Sequence, residues 1–193
     1  MEILLSVCLG LGLSAACGFR VFVPLLVLSV AANGGYLSLA QDFQWLASPA
    51  ALTAFAVATT LEIAAYYVPW VDNFLDAVSS PAAVVAGVVV SASVIAGIDP
   101  FLKWTLAVIA GGGLAGSVQM LTIGARGAST LTTAGFGNPL LSTIEAGGSF
   151  VLAVVAATAP LVAMALLAVF FVYALSRLGR WRRRHRESAL QET

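Results

Sequence analysis

Five long apolar stretches separated by short polar punctuation dominate the chain, at residues 3–32, 46–69, 77–98, 101–123 and 147–176. Each reaches about 20 residues or more, the length an α-helix needs to cross about 30 Å of hydrocarbon. The pattern predicts an all-α, polytopic transmembrane helical bundle of about five spans, with broken or re-entrant helices. The first and last runs are long enough for about 45 Å of helix, so each must tilt, protrude or break. Pro24 and Pro160 mark the expected breaks, because proline removes a helix hydrogen bond and the freed carbonyl then needs a partner from the protein. The opening MEILLSVCLGLGLSAACG has the apolar core of a signal peptide but no basic residue ahead of it, and reads as a retained first span.

One stretch breaks the pattern. Residues 124–149, GARGASTLTTAGFGNPLLSTIEAGGS, are rich in Gly, Ser and Thr and carry both Arg126 and Glu145. Such a segment is too polar for a helix facing lipid all round. It reads either as an external loop or as a segment that dips into the membrane and lines a wet cavity, where irregular backbone is tolerated. Asn138-Pro139 is a helix-start signal, and a helix beginning there runs straight into Glu145.

Composition sharpens the class. Of 193 residues 60% are hydrophobic and 9% charged, whereas soluble domains carry about 25% charge. No hydrophilic stretch can bury a core of its own, which excludes an extramembrane catalytic domain and leaves one transmembrane domain at 1–176 with a basic tail at 177–193. Up to residue 176 the basic residues are Arg20, Lys103 and Arg126, against Glu2, Asp42, Glu62, Asp72, Asp76, Asp99 and Glu145. The tail reverses the balance with six arginines, Arg177, Arg180, Arg182, Arg183, Arg184 and Arg186, against Glu187 and Glu192. Next to an apolar run, such a cluster is a topology anchor on anionic headgroups rather than a nucleic-acid patch, and it places the C-terminus in the cytoplasm. No nucleic-acid partner is expected. An odd number of spans puts the N-terminus outside.

The charges inside the apolar runs are the candidate chemistry. Arg20 and Glu62 each lie deep within a nominal span, where a charge costs about 2.5–3.5 kcal/mol and must face a partner or water. A short echo links the halves: Gly18-Phe19-Arg20 with Gly124-Ala125-Arg126, and Thr60-Leu61-Glu62-Ile63 with Thr143-Ile144-Glu145-Ala146. If the echo is a repeat, its copies are inverted, a topology common in transport folds. Two readings stay open. Arg20–Glu62 and Arg126–Glu145 are structural ion pairs that fix helix register, or the arginines offer a positive site to a solute while a glutamate couples a proton or cation.

The run EIAAYYVPWVDNFLD, residues 62–76, gathers Tyr66, Tyr67 and Trp70 at a helix end, as an aromatic belt would, and follows them with Asp72, Asn73 and Asp76. These three form either an exposed acidic turn or a cation vestibule. Gly111-Gly112-Gly113 lacks the strand, loop and lysine of a phosphate site; Gly112 and Gly116 instead have the small-x-x-x-small spacing of close helix packing, within one subunit or in a homo-oligomer. Cys8 and Cys17 fall on opposite helix faces, and His185 stands alone in the tail, so neither disulfide, metal nor other cofactor is expected. Ser14, Ser29 and Ser91 have no base beside them, and no enzymatic constellation emerges.

The runs CGFRVFVPLLVLSVAANGGYLSL, LEIAAYYVPWVDNFLDAVSSPAAVVAG and GASTLTTAGFGNPLLSTIEAGGS together resemble the bacterial membrane family catalogued as domain of unknown function 4126, over about residues 8–176. The resemblance implies a compact inner-membrane protein and transfers no activity. The sequence therefore leads to the expectation of a channel or secondary transporter for a small ion or solute, with Arg20, Glu62, Arg126 and Glu145 at its centre. Asp72, Asn73 and Asp76 form the entrance, and Ser129, Thr130, Thr132, Thr133 and Asn138 line the path. The alternative is a non-transporting scaffold or lipid-binding protein.

Overall fold

A computed structural model describes residues 1–67 and 71–191, and of residues 72–74, 76 and 178–191 it describes the backbone alone. The described residues are helical nearly throughout, in the order α1 (Glu2–Cys17), α2 (Phe22–Asn33), a 3-10 turn at Gln41–Ala47, α3 (Pro49–Ala65), α4 (Val71–Val94), α5 (Pro100–Leu106), a π turn at Ala107–Gly112, α6 (Gly113–Thr133), α7 (Asn138–Thr158) and α8 (Pro160–Gln191). Four stretches are long and apolar enough to cross a membrane: Ala77–Val94, the continuous rod Pro100–Thr133, Asn138–Thr158 and Pro160–Arg177. A fifth is added if Gln41–Ala47 and α3, bent by 63°, count as one.

The first apolar run is not a single span. Its two helices, of 16 and 12 residues, measure about 24 and 18 Å, each short of the hydrocarbon thickness. Contacts fix their directions. Along α1, Ser14 meets Gly87 and Ser91 of α4, and a Cβ on Gly10 would meet Ser91 and Val94, so α1 lies antiparallel to α4. The N–H groups of Val21 and Phe22, at the start of α2, bond Glu62 near the end of α3, whereas Ser29 and Asn33 further on bond Leu46 and Ala47 just before α3. Past α2, Ala40 N–H donates to the Ser93 carbonyl at 2.8 Å, level with the middle of α1, where Gly10 faces Ser91 and Val94. The run therefore goes in and comes back, with its tip at residues 18–21.

The break falls ahead of Pro24 rather than at it, because proline is the third residue of α2, where the amide hydrogen has no intrahelical acceptor. Pro160 opens α8 as expected, after a single non-helical residue, Ala159. The Gly/Ser/Thr-rich segment 124–149 is neither loop nor irregular: it is the end of α6, a tight turn with Ala134 and Gly135 at positive φ, and the first half of α7.

Small residues set the interhelical distances. A Cβ on Gly112 would stand 2.9 Å from Val88 and one on Gly116 3.1 Å from Val84, so this pair packs closely against α4 within the one chain. Since α6 thereby lies antiparallel to α4, it runs parallel to α1, so α1, which leads into Arg20, and α6, which carries Arg126, are not an inverted pair. Gly18, at the hairpin tip, leaves no room for a methyl: a Cβ would strike the Ala115 carbonyl oxygen and stand 2.6 Å from Val118 Cβ. Gly18→Ala is expected to cost about 1–3 kcal/mol, read as a fall of several degrees in the melting temperature of the detergent-purified protein. Gly124→Ala, whose Cβ would meet nothing within 4 Å, should not lower it, alanine being the better helix former.

Candidate functional site

Three helices deliver charge to the hairpin tip, which carries a charge of its own. Arg20, in the tip itself, is 1% exposed; Arg126 of α6, Glu145 of α7 and Glu62 of α3 are similarly buried. Glu145 is the hub. Its Oε1 accepts from Arg126 Nε at 3.1 Å, and its Oε2 takes both Arg126 Nη2 and, at 3.4 Å, Arg20 Nη2. The predicted Arg126–Glu145 pair is therefore present, and one carboxylate serves two guanidinium groups.

The expected Arg20–Glu62 pair is replaced by a different arrangement. Glu62 Oε1 accepts from Val21 N–H at 2.8 Å and Oε2 from Phe22 N–H at 3.0 Å. These are the exposed donors at the start of α2, where a carboxylate also meets the positive end of the helix dipole. Glu62 thus pins one limb of the hairpin to α3. Arg20 turns to α7, donating from Nη2 to the Ser142 carbonyl at 3.0 Å and its hydroxyl at 2.5 Å. Ser149 Oγ donates to the Ala16 carbonyl at 2.9 Å, capping the end of α1 from the same helix. Among the described residues, Arg20 Nε and Nη1 have no hydrogen-bond partner.

Tyr66 completes the cluster. Its ring centroid lies 3.7 Å from Arg20 Cζ and 4.1 Å from Arg126 Cζ, and its hydroxyl is 2.9 Å from Ser79 Oγ. An interfacial aromatic belt, the role expected from sequence, does not describe this ring, which is 5% exposed; its quadrupole attracts two like charges held together. Tyr67 behaves more as anticipated, half exposed with its hydroxyl 2.7 Å from Thr143 Oγ1. Tyr66→Leu removes both ring contacts and is expected to cost about 2–4 kcal/mol, whereas Tyr66→Phe keeps the ring and should cost about 1. Equal melting temperatures for the two variants would show that the ring face contributes nothing.

The remaining predicted residues divide. Thr133 Oγ1 accepts from Gly137 N–H at 2.9 Å and lies 3.4 Å from Ser129 Oγ, while Asn138 Nδ2 donates to Thr130 Oγ1 at 3.2 Å. These groups brace the α6–α7 turn, and Thr132 bonds back to its own helix at Ala128. Asp72, Asn73 and Asp76 fall in the first turns of α4, with their side chains outside the described residues. Among the described residues no three His, Cys, Asp or Glu side chains gather to hold a metal. Sequence reasoning gave Tyr66 a different role and passed over Ser142 and Ser149; a serine four residues after Glu145 and another three before it, on one helix face, was the available signal.

Beside the cluster, α2, α3 and α7 enclose a groove of about 790 Å³, walled by Val27, Phe150, Val154 and other apolar side chains.

Apolar helices compatible with multiple membrane crossings, closed around a buried cluster of two arginines and two glutamates, define a membrane-type helical protein. Within that class, the family model described as a domain of unknown function (DUF4126) matches residues 7–180, and the chain belongs to that family. No curated protein and no solved structure matches it.

Proposed function

We propose that the protein is a channel or secondary transporter, rather than an enzyme, passing a small anionic solute across the bacterial inner membrane, with the arginine tail on the cytoplasmic side. The observation that supports it is Arg20: a buried guanidinium at the tip of a helical hairpin, with two nitrogens, Nε and Nη1, lacking hydrogen-bond partners among the described residues. An unmet buried donor costs about 1–3 kcal/mol, more on a charged group, and donors of this kind beside a helix start are how discontinuous helices receive anions in transporters. Glu62 or Glu145 would couple a proton or cation to the passage of the anion. A non-transporting scaffold is the second reading, favoured by the engagement of all four oxygens of Glu62 and Glu145.

Flux into proteoliposomes separates the two. Wild-type protein should pass small anions, faster than monovalent cations, and Arg20→Lys and Glu62→Gln should lower that flux at least tenfold in vesicles holding equal amounts of folded protein. Absence of anion flux from wild-type vesicles under every ion and proton gradient would sink the transport reading.

A further inference from the structure

The hydrogen bonds sort the helices into two bodies. Helix α2 is tied along its length to the 3-10 turn and α3: Val21 and Phe22 N–H donate to Glu62, Ser29 Oγ donates to the Leu46 carbonyl at 2.7 Å, and Asn33 Nδ2 donates to the Ala47 carbonyl at 2.7 Å. Helix α1 belongs to the other body. Ser14 Oγ donates to the Gly87 carbonyl of α4 at 2.6 Å, the Ala16 carbonyl accepts from Ser149 of α7, and Cβ atoms on Gly12 and Gly18 would strike Ala156 of α7 and Ala115 of α6. Inside a bilayer, apolar helix faces meet lipid as readily as one another, so polar ties and close packing decide which helices move together.

The chain joins the α2–α3 pair to the larger body only at the end beside the cluster, through residues 18–21 and through those that follow Ala65. Tyr66 and Tyr67 add hydroxyl contacts to Ser79 and Thr143 at this end. The loop end of the pair is held more lightly. There Ala40 N–H donates to the Ser93 carbonyl at 2.8 Å, and the Phe43 ring lies 6.2 Å from that of Trp104 and 5.1 Å from Lys103 Nζ.

The groove between the two bodies begins at the loop end, at Tyr36 and Thr158, and stops at Val23, Ile63 and Ala146, each one residue past Phe22, Glu62 and Glu145 in the chain. Arg20, Glu62 and Glu145 do not line it. Arg20 Nε and Nη1 are buried, with the Tyr66 ring centroid 3.7 Å from Arg20 Cζ. A solute therefore reaches these donors only when the protein moves.

We infer that the α2–α3 pair is a flap, hinged at residues 18–21 and past Ala65 and latched by Ala40 and Phe43, whose outward swing extends the groove to Arg20. The use of this swing rests on the transport reading, and it makes the protein a carrier with a closed state rather than an open channel. The swing itself requires no flux.

Pulsed electron–electron resonance on the full chain in lipid nanodiscs tests the flap, with spin labels at Tyr36→Cys and Phe101→Cys, both exposed positions, while the native Cys8 and Cys17 are buried. Two distance populations are expected, and Ala40→Pro should raise the longer one roughly threefold or more. Ala40 has φ −58° and ψ 149°, which proline adopts without strain, so the substitution removes the latching N–H and keeps the backbone. Phe43→Leu, which removes both ring contacts at the same place, carries the test if Ala40→Pro fails to fold. In vesicles, Phe43→Cys with Trp104→Cys, bridged by a short cleavable bis-thiosulfonate, should pass anions roughly tenfold more slowly than the same protein after reduction. One distance population that neither latch substitution alters would overturn the flap, and anion flux indifferent to a complete bridge would overturn its use as a gate. Wild-type vesicles that pass no ion, with distances that still shift, would remove the transport reading and leave the flap standing.

Discussion

Glu145→Gln is expected to be the most damaging single substitution, costing about 3–5 kcal/mol. The amide has one acceptor oxygen where the carboxylate serves Arg126 through both oxygens and Arg20 through one, and it removes the negative charge from between two guanidinium groups gathered on one tyrosine ring. What remains is a pair of buried like charges, with Glu62 committed to the start of α2. Thermal melting in mild detergent reads the loss, and Glu145→Gln combined with Arg126→Gln should recover part of it, because the second change removes the charge stranded by the first. A single variant that melts within about 2 °C of wild type would mean that the cluster is not held together by Glu145.

Glu62→Ala ranks second, at about 2–4 kcal/mol, because it strands two backbone donors, Val21 and Phe22, inside the protein. Its signature is local. Amide hydrogen exchange over residues 18–24 should accelerate at least tenfold, while the centre of α4 keeps its protection as long as the global fold survives. Glu62→Gln retains one acceptor and should fall between wild type and Glu62→Ala. Exchange at the tip that ignores both substitutions would dispose of the role assigned to Glu62.

The four charges were legible because hydropathy reports depth: Arg20, Glu62, Arg126 and Glu145 stand out wherever carbon is the rule, and all four meet. Their partners were not legible. Glu62 answers to two amide hydrogens, and main-chain donors become available only where a helix begins, at Phe22, four residues after Gly18 and two before the proline that drew attention. Hydropathy also counts length without direction, so the run 3–32 read as one over-long crossing when it is two short helices that reverse at Gly18. The segment 124–149 misled for a related reason. Its serines and threonines are polar in composition, yet Thr132, Thr133 and Thr143 each return their hydroxyl to a carbonyl four residues back, which makes the helix self-sufficient. Tyr66 was assigned to an interface because aromatic residues cluster there, and nothing in EIAAYY distinguishes the ring that turns inward from the neighbour that does not.

The distance along the chain between the hairpin tip and its partners has a consequence for synthesis. Arg20 leaves the ribosome 125 residues ahead of the glutamate that neutralises it (145 − 20), an interval of roughly 6–25 s at about 5–20 residues per second. During that interval the arginine has neither Glu145, Ser142 nor the Tyr66–Arg126 stack, and Val21 and Phe22 wait a shorter time for Glu62. An uncompensated guanidinium is a poor guest of the bilayer, so the α1–α2 hairpin is expected to complete its polar contacts only after α7 has been made, and its tip to be the part of the bundle that settles late.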